Sequence, residues 1–422
     1  MKLILTSFFI VEEDMDYIVR DLERKFMKMN QVFKVLLVTG ARQVGKTTML
    51  KHLAIGENRT FVTMDDAQNR ELAQRDPKLF FQMYRPPLLI DEVQKAPELF
   101  EVMKEICDAS DENGLFWLTG SQSQKLIRQA GDSLAGRICI LHMYGLSQSE
   151  RLNIHDLPEI SFAMDALSER QKHFPVNNIC EVYDAIWKGS MPGTILMDQE
   201  QRNAYYDSYI NTYLMRDAVD DNGIKDTAGF LRVLRACAAF AGNLVNYSDI
   251  AAAGGVSIPT AKAWIKILEN MGILYLLEPY SNNELKRLIK TPKLYFCDTG
   301  LCAWLSMWTS RDVLMNGAAS GHFLENFVVM EFIKLYSSSA GKARLTFYRD
   351  TNQKEIDLIV DTNGYLHPIE IKRSAAPERK LVKTFSVLKN ASQPAGNGGI
   401  VCMMEKVFPI DDTNCFIPCN II

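Results

Sequence analysis

Between residues 35 and 143 the apolar positions fall in short unbroken runs rather than in alternation. The runs are Val35 to Thr39, Thr60 to Met64, Leu88 to Ile90, Leu115 to Thr119 and Ile138 to Met143, with helix-like stretches between them. A run apolar on both faces predicts a strand buried from both sides, and such strands alternating with helices predict a parallel α/β sheet. Residues 151–220 read as a mainly helical connector, interrupted near Gly189 to Gly193. Further on, Phe230, Val233, Leu234 and Cys237 fall at helical spacing. Ser248 is placed to cap a short helix running through Ala253, and Gly254-Gly255 makes a turn. Ser257 then caps a longer helix with Ala261, Trp264, Ile265 and Leu268 on one face and Lys262, Lys266 and Glu269 on the other. Gly272 stops that helix, and Ile273 to Leu277 and Leu294 to Phe296 predict two paired strands. The last hundred or so residues return to an α/β pattern.

A chain of 422 residues exceeds what one core usually serves. The pattern divides it into 15–150, 151–220, 221–305 and 306–422. Apolar residues make up 47% and charged residues 23%, the profile of a soluble globular protein. The net charge of −4 provides no global field for nucleic acid, so any such binding rests on a local patch. Nine scattered cysteines without a C-x-x-C pair point to reduced thiols rather than disulfides or zinc. No apolar run approaches the roughly 18 residues of a membrane helix. Leu3 to Val11 resembles a short signal core, but Glu12, Glu13 and Asp14 follow without a small-residue cleavage site. A start at Met15 is the other reading of that stretch. The expectation is a cytoplasmic protein with no membrane partner.

Gly40-Ala41-Arg42-Gln43-Val44-Gly45-Lys46-Thr47 fits G-x-x-x-x-G-K-[ST] between an apolar strand and a helical segment from Thr48 to Leu53. Its glycines let successive backbone N–H groups face phosphate oxygens, and the helix start adds its positive dipole end. Lys46 is expected to reach the β- and γ-phosphates, and Thr47 to ligate Mg²⁺. Leu88 to Ile90 ends in Asp91 and Glu92. Asp91 is placed to hold the Mg²⁺ shell, and Glu92 to orient and deprotonate the attacking water. Thr119 and Ser121, ending the next strand, are candidate γ-phosphate sensors, and Arg137 is a candidate for stabilising the transferring phosphoryl group. No N-K-x-D guanine-reading motif follows, which favours ATP.

Gly40 to Thr48, Ile90-Asp91-Glu92-Val93-Gln94 and Thr119-Gly120-Ser121 resemble a prokaryotic AAA+-like P-loop ATPase family. That family pairs the ATPase with a C-terminal domain of unknown function that is often nuclease-like. The resemblance runs from about Tyr17 to Lys372. It implies a five-stranded sheet in which the strand ending at Asp91 is separated from the phosphate-loop strand by the one ending at Thr119.

The helical pattern in 221–305 is that of a winged helix. Lys286, Arg287, Lys290 and Lys293 lie between its two strands, and residues 225–293 carry nine Lys or Arg against five Asp or Glu. With Lys262 and Lys266 on the longer helix, this local excess suits contact with the duplex DNA backbone. Nearer the C-terminus, Glu355 to Val360 and Leu366 to Lys372 flank Asn363-Gly364, the preferred two-residue hairpin loop. That loop sets Asp357 opposite Glu370 and Glu355 opposite Lys372, with Ile356, Leu358, Ile369 and Ile371 on the other face. Like charges so placed call for a bridge, and hard oxygens suit Mg²⁺ or Mn²⁺. Asp357 with Glu370-Ile371-Lys372 resembles the PD-(D/E)xK restriction-endonuclease-like fold, although Ile356 stands where that signature has proline. The resemblance implies metal at Asp357 and Glu370, a water-activating Lys372, and help from Glu325 on a first helix.

The expected function is ATP hydrolysis by a protein acting on or binding DNA through its C-terminal half. The reading from another class is a nucleotide-dependent switch that binds a protein partner, with the nuclease-like fold as scaffold. In a homo-oligomeric ring Arg137 would act across an interface; in a monomer, only at its own site.

Overall fold

The computed structural model of the chain describes residues 17–121, 124–220, 222–280, 291–339, 341–350 and 353–422. The five apolar runs are strands β1 (Val35–Gly40), β2 (Thr60–Thr63), β3 (Leu88–Asp91), β4 (Phe116–Ser121) and β5 (Ile138–His142). They form one sheet in the order β2-β3-β4-β1-β5, with every neighbouring pair parallel. β4 therefore separates β3 from β1. Every residue of β1 is buried. Val35 and Leu37 enter one core and Leu36 and Val38 another, because successive side chains point to opposite faces. On one face Phe26, from the helix Leu22–Asn30, sits edge-on to Trp117 with ring centroids 5.0 Å apart. The parallel arrangement brings the ends of β1 to β4 to one rim of the sheet, where Gly40, Thr63, Asp91 and Ser121 lie.

The segment 151–220 is helical as expected, but it is no spacer. Leu167, Val182, Ile186 and Tyr206 share one continuous core with Leu36 and Leu141 of the sheet, Val233 and Leu268 of the next unit, and Ile369 near the C-terminus. The helix Ile179–Lys188 stops at Gly189, whose φ is 85°. A Cβ there would stand 2.6 Å from both Asp298 Oδ2 and the Tyr206 hydroxyl, so glycine is required by space as well as conformation. The helix Gln199–Ser208 passes through a π-helical stretch, Tyr209–Leu214, into Met215–Asp220.

Helices Thr227–Ala239, Tyr247–Gly254 and Ile258–Asn270 follow, with strands β6 (Asn243–Leu244), β7 (Leu274–Leu277) and β8 (Lys293–Phe296). The two expected strands gain a third partner, giving an antiparallel sheet in the order β6-β8-β7. Ser257 caps its helix, accepting from Thr260 N. Ser248 does not cap: the shorter helix begins two residues earlier than that cap implies, with the Asn246 side chain accepting from Asp249 N and Ser248 Oγ donating to Asn246 Oδ1. Lys286, Arg287 and Lys290 lie outside the described residues, as do Met1 and Met15.

The C-terminal part sets the helix Ser320–Ser338 beside a six-stranded sheet of β9 (Arg344–Arg349), β10 (Glu355–Thr362), β11 (Tyr365–Ile371), β12 (Gly398–Cys402), β13 (Phe408–Pro409) and β14 (Asn414–Pro418), ordered β13-β14-β12-β11-β10-β9. Asn363 and Gly364 turn the β10–β11 hairpin with φ of 51° and 81°. The register is the expected one, Leu358 opposite Ile369 and Thr362 opposite Tyr365. The expected apolar face is not continuous. Ile356 pairs with Tyr348 and Ile359 with Thr346, so three steps along β10 match two along β9. This bulge puts Ile356 with Ile359 in one core and Leu358 with Val360 in another. Among the described residues, no helix is long and apolar enough to cross a membrane.

A buried ion pair on the helix Ser320–Ser338 also joins the units, through its hydrogen bonds to the segment after β5. Glu331 Oε1 accepts from Lys334 Nζ at 2.7 Å, Glu331 Oε2 accepts from Gln148 N at 2.8 Å, and Lys334 donates to Leu146 O at 2.8 Å. Glu331→Ala leaves a buried ammonium without its carboxylate and should cost about 3–5 kcal/mol in urea unfolding. Lys78→Ala, at the exposed Lys78–Glu105 pair, should cost about 0–1 kcal/mol.

Candidate active site

The phosphate loop joins the end of β1 to the helix Lys46–Leu53. A Cβ on Gly40 would meet Met143 O at 2.1 Å. Gly45 has φ 96°, a left-handed conformation that starts the helix. Gln43 is also left-handed, with φ 63°. Inside the curl, Lys46 Nζ donates to Gly40 O at 3.0 Å and Ala41 O at 2.7 Å. Burial pushes the Lys46 ammonium down to about 8, with the Glu92 charge opposing it. Arg20 braces the loop from outside, donating to Val44 O at 2.7 Å and Tyr144 O at 2.8 Å.

Asp91 is buried at the end of β3 and gathers three hydroxyls. Thr47 Oγ1 donates to Oδ1 at 2.5 Å, Thr119 Oγ1 donates to Oδ1 at 2.6 Å, and Thr63 Oγ1 donates to Oδ2 at 3.2 Å. Thr47 and Asp91 are hard oxygen donors side by side next to Lys46, a set that fits Mg²⁺ held by few protein ligands and substrate phosphates. Glu92 follows in a left-handed conformation, φ 56°, which is uncommon for a residue other than glycine and turns its backbone sharply at the strand end. Its N–H donates to Thr119 Oγ1 at 3.0 Å, and its carboxylate accepts from Gln94 Nε2. The Thr119 hydroxyl, expected to sense phosphate, is thus engaged in positioning both acids. Ser121 lies beside Gly40 in the β1–β4 register, at the mouth of the loop.

Arg42 turns from the loop to Asp217, its Nε 2.5 Å from Oδ2 and its Nη2 2.9 Å from Oδ1. Sequence reasoning missed Asp217, Arg20 and Thr63. Thr63 was within reach of the rule that functional groups gather at strand ends, whereas Asp217 lies 175 residues from Arg42 and carried no spacing signal.

The expected role of Arg137 at its own site is corrected. Its carbonyl accepts from Val35 N at 3.1 Å, at the far end of β1 from Gly40. Five residues of strand put it about 16 Å from its own phosphate loop. There its guanidinium pairs with Asp108 at 2.5 Å.

The second expected site forms a cluster of different composition. Asp357 and Glu370 are both buried on adjoining strands, and Glu325 faces them from the helix Ser320–Ser338. Lys293 of β8 enters between them, its Nζ 2.8 Å from Glu325 Oε1, 2.5 Å from Glu355 Oε1 and 3.6 Å from Asp357 Oδ1. Lys372 Nζ lies 2.6 Å from Glu370 Oε1 and 3.2 Å from Asp357 Oδ2. Tyr295 donates to Glu325 Oε1 at 2.7 Å, and Ile371 N to Asp357 Oδ2 at 2.8 Å. Burial pushes the Glu325 and Glu370 carboxyls up, and the Asp357 charge adds to it. Burial alone would lower Lys293, but Glu325, Asp357 and Glu355 override it and raise it. The expected divalent bridge between Asp357 and Glu370 does not fit, because ammonium groups already pair these carboxylates. Lys372, expected to activate water, lies between Glu370 and Asp357. Among the described residues, no group of three or more His, Cys, Asp or Glu is arranged to hold a metal.

A triphosphate on the loop favours a charged Lys46, and the free chain loses that charge as pH rises through about 8. Binding above that pH therefore takes up a proton. Affinity for magnesium-ATP, followed by calorimetry, should fall by about tenfold between pH 7 and 9 in the wild type and stay level in Lys46→Arg.

Residues 32–152 match the family model described as an AAA domain. Residues 180–312 and 320–422 match two domains of unknown function, DUF8612 and DUF4143. An uncharacterized protein of Mycobacterium tuberculosis is 28% identical over 392 residues, spanning 92% of this chain and 80% of the relative. One of Haemophilus influenzae is 24% identical over 356 residues, spanning 77% and 79%. Among solved structures, a Walker-type ATPase of Pyrococcus abyssi aligns with TM-score 0.42 at 13% identity, over 69% of this chain and 96% of that one. The RuvB Holliday junction branch migration motor of Thermotoga maritima aligns with TM-score 0.31 at 16% identity, over 61% and 89%. The AAA match falls on the phosphate loop and Asp91, so the first unit of this chain is an AAA-like P-loop domain built on a parallel α/β sheet.

Proposed function

We propose that this chain is a Mg²⁺-dependent ATP hydrolase that engages duplex DNA through its three-helix unit. The observation that carries the hydrolytic part is the buried Asp91 carboxylate, hydrogen-bonded to Thr47 and followed directly by Glu92. Magnesium, held by Thr47 and Asp91, would supply neutralising charge to the phosphates. Lys46 exchanges the Gly40 and Ala41 carbonyls for phosphate oxygens. Thr47 and Asp91 present the metal-holding oxygens. Glu92, steadied by Gln94, accepts a proton from the attacking water. Arg20 and Asp217 hold the loop in shape as the substrate enters.

The DNA part is supported by the outer face of the helix Ile258–Asn270. Pro259, Lys262, Ala263 and Lys266 are exposed along it, while Ala261, Ile265 and Leu268 are buried behind. Three helices with a small antiparallel sheet suit a winged helix, and an exposed lysine-bearing helix suits backbone contact. Lys266 Nζ pairs with Glu269 at 2.8 Å, an exposed contact that a phosphate can displace.

The Arg42–Asp217 pair favours a second reading, a nucleotide-dependent switch acting on a protein partner. It ties the phosphate loop to the helices of 151–220, so a change at the loop is felt in the shared core. Cytoplasmic placement belongs to both readings.

Two measurements test the proposal. Glu92→Gln should keep ATP binding while hydrolysis falls by about 10²–10⁴-fold. Duplex DNA at low salt should raise wild-type ATP turnover, and Lys262→Glu with Lys266→Glu should remove that stimulation. Turnover indifferent to DNA at every salt concentration favours the switch.

A further inference from the structure

We propose that the ammonium of Lys293 is the resident cation of the C-terminal carboxylate cluster. The C-terminal unit then holds no divalent ion there, cuts no nucleic acid, and serves as a charged joint between the three-helix unit and the C-terminal sheet. This stands apart from the nucleotide reading, which uses none of these residues.

Lys293 lies on β8, the middle strand of the three-stranded sheet, and is almost fully buried. A lysine so placed keeps its charge only when carboxylates surround it. An ammonium has three N–H donors, and three carboxylates stand around this one. Glu325 comes from the helix Ser320–Ser338, and Glu355 and Asp357 come from β10. Lys372 occupies the other side, against Glu370 and the second oxygen of Asp357, which also accepts from Ile371 N. A magnesium or manganese ion needs several oxygens within about 2.0–2.2 Å, in the volume the two ammonium groups fill. It would also face their positive charge inside a buried site. Glu370 Oε2 is buried without a hydrogen-bond partner, and one such oxygen does not make a coordination shell.

The joint follows from the same geometry. The cation comes from one structural unit and the carboxylates around it from the next, so the charge of Lys293 is answered only across the joint. Tyr295, two residues along β8, repeats the link by donating to Glu325. The acidic residues thereby serve to pack the units together rather than to hydrolyse.

The test is Mn²⁺ titrated into the full chain without nucleotide, with free ion read by electron paramagnetic resonance. Wild type and Glu370→Gln should take up the same number of ions, since Glu370 holds none. Lys293→Met should take up one more than wild type, as the carboxylates lose their ammonium. An ion bound by wild type and lost in Glu370→Gln overturns the proposal, as does a folded Lys293→Met chain that gains none. If Lys293→Met does not fold, the comparison of wild type with Glu370→Gln decides alone.

Discussion

A buried carboxylate must be answered by donors, and Asp91 is answered by three threonine hydroxyls from three parts of the chain. Thr63 ends β2, Thr119 lies in β4, and Thr47 opens the helix after the phosphate loop. Their convergence requires parallel strands in the order β2-β3-β4-β1, so the sheet topology and the site are one arrangement. Thr119 extends that arrangement by accepting from Glu92 N, which fixes the second acid at a sharply turned backbone position. Lys46 lies across the loop's own carbonyls and holds its curl.

The rest of the chain is built onto this rim. Arg20 reaches the loop from the first helix side, Arg42 reaches out to Asp217, and the helices of 151–220 share one core with the sheet and with both later units. Asp298, at the start of the helix Thr299–Leu305, accepts from Ser190 N at 2.5 Å and from the Tyr206 hydroxyl at 2.7 Å. Buried polar contacts of this kind fix the position of one unit against another more tightly than apolar packing alone. A chain divided by sequence pattern into four segments is therefore mechanically closer to one piece around the nucleotide site.

What was legible in the sequence was what chemistry imposes locally. Gly40 to Thr47 could be read because a phosphate loop needs its glycines at fixed spacing, and β3 with Asp91 because a doubly covered strand must be apolar until it ends. The β10–β11 register could be read because Asn363-Gly364 admits one turn geometry. The failures were non-local. The bulge opposite β9 has no composition signal, so the division of Ile356 from Leu358 was invisible. Lys293 looked like one more basic residue beside a turn, and only the fold carries it among Glu325, Glu355 and Asp357. Arg137 follows the sensor strand in sequence, yet it lies just before β5 at the opposite end of the sheet, away from its own phosphate loop. Ser248 was outcompeted by Asn246, whose side chain reaches the helix start first.

The central claim is that Asp91 and Thr47 form the oxygen set through which magnesium strengthens nucleotide binding. The most direct measurement is retention of labelled ATP by the full chain with and without Mg²⁺, wild type beside Asp91→Asn. The account predicts that Mg²⁺ strengthens retention in the wild type and adds little in Asp91→Asn. Equal strengthening in both, or no retention by the wild type at any Mg²⁺ concentration, would contradict it.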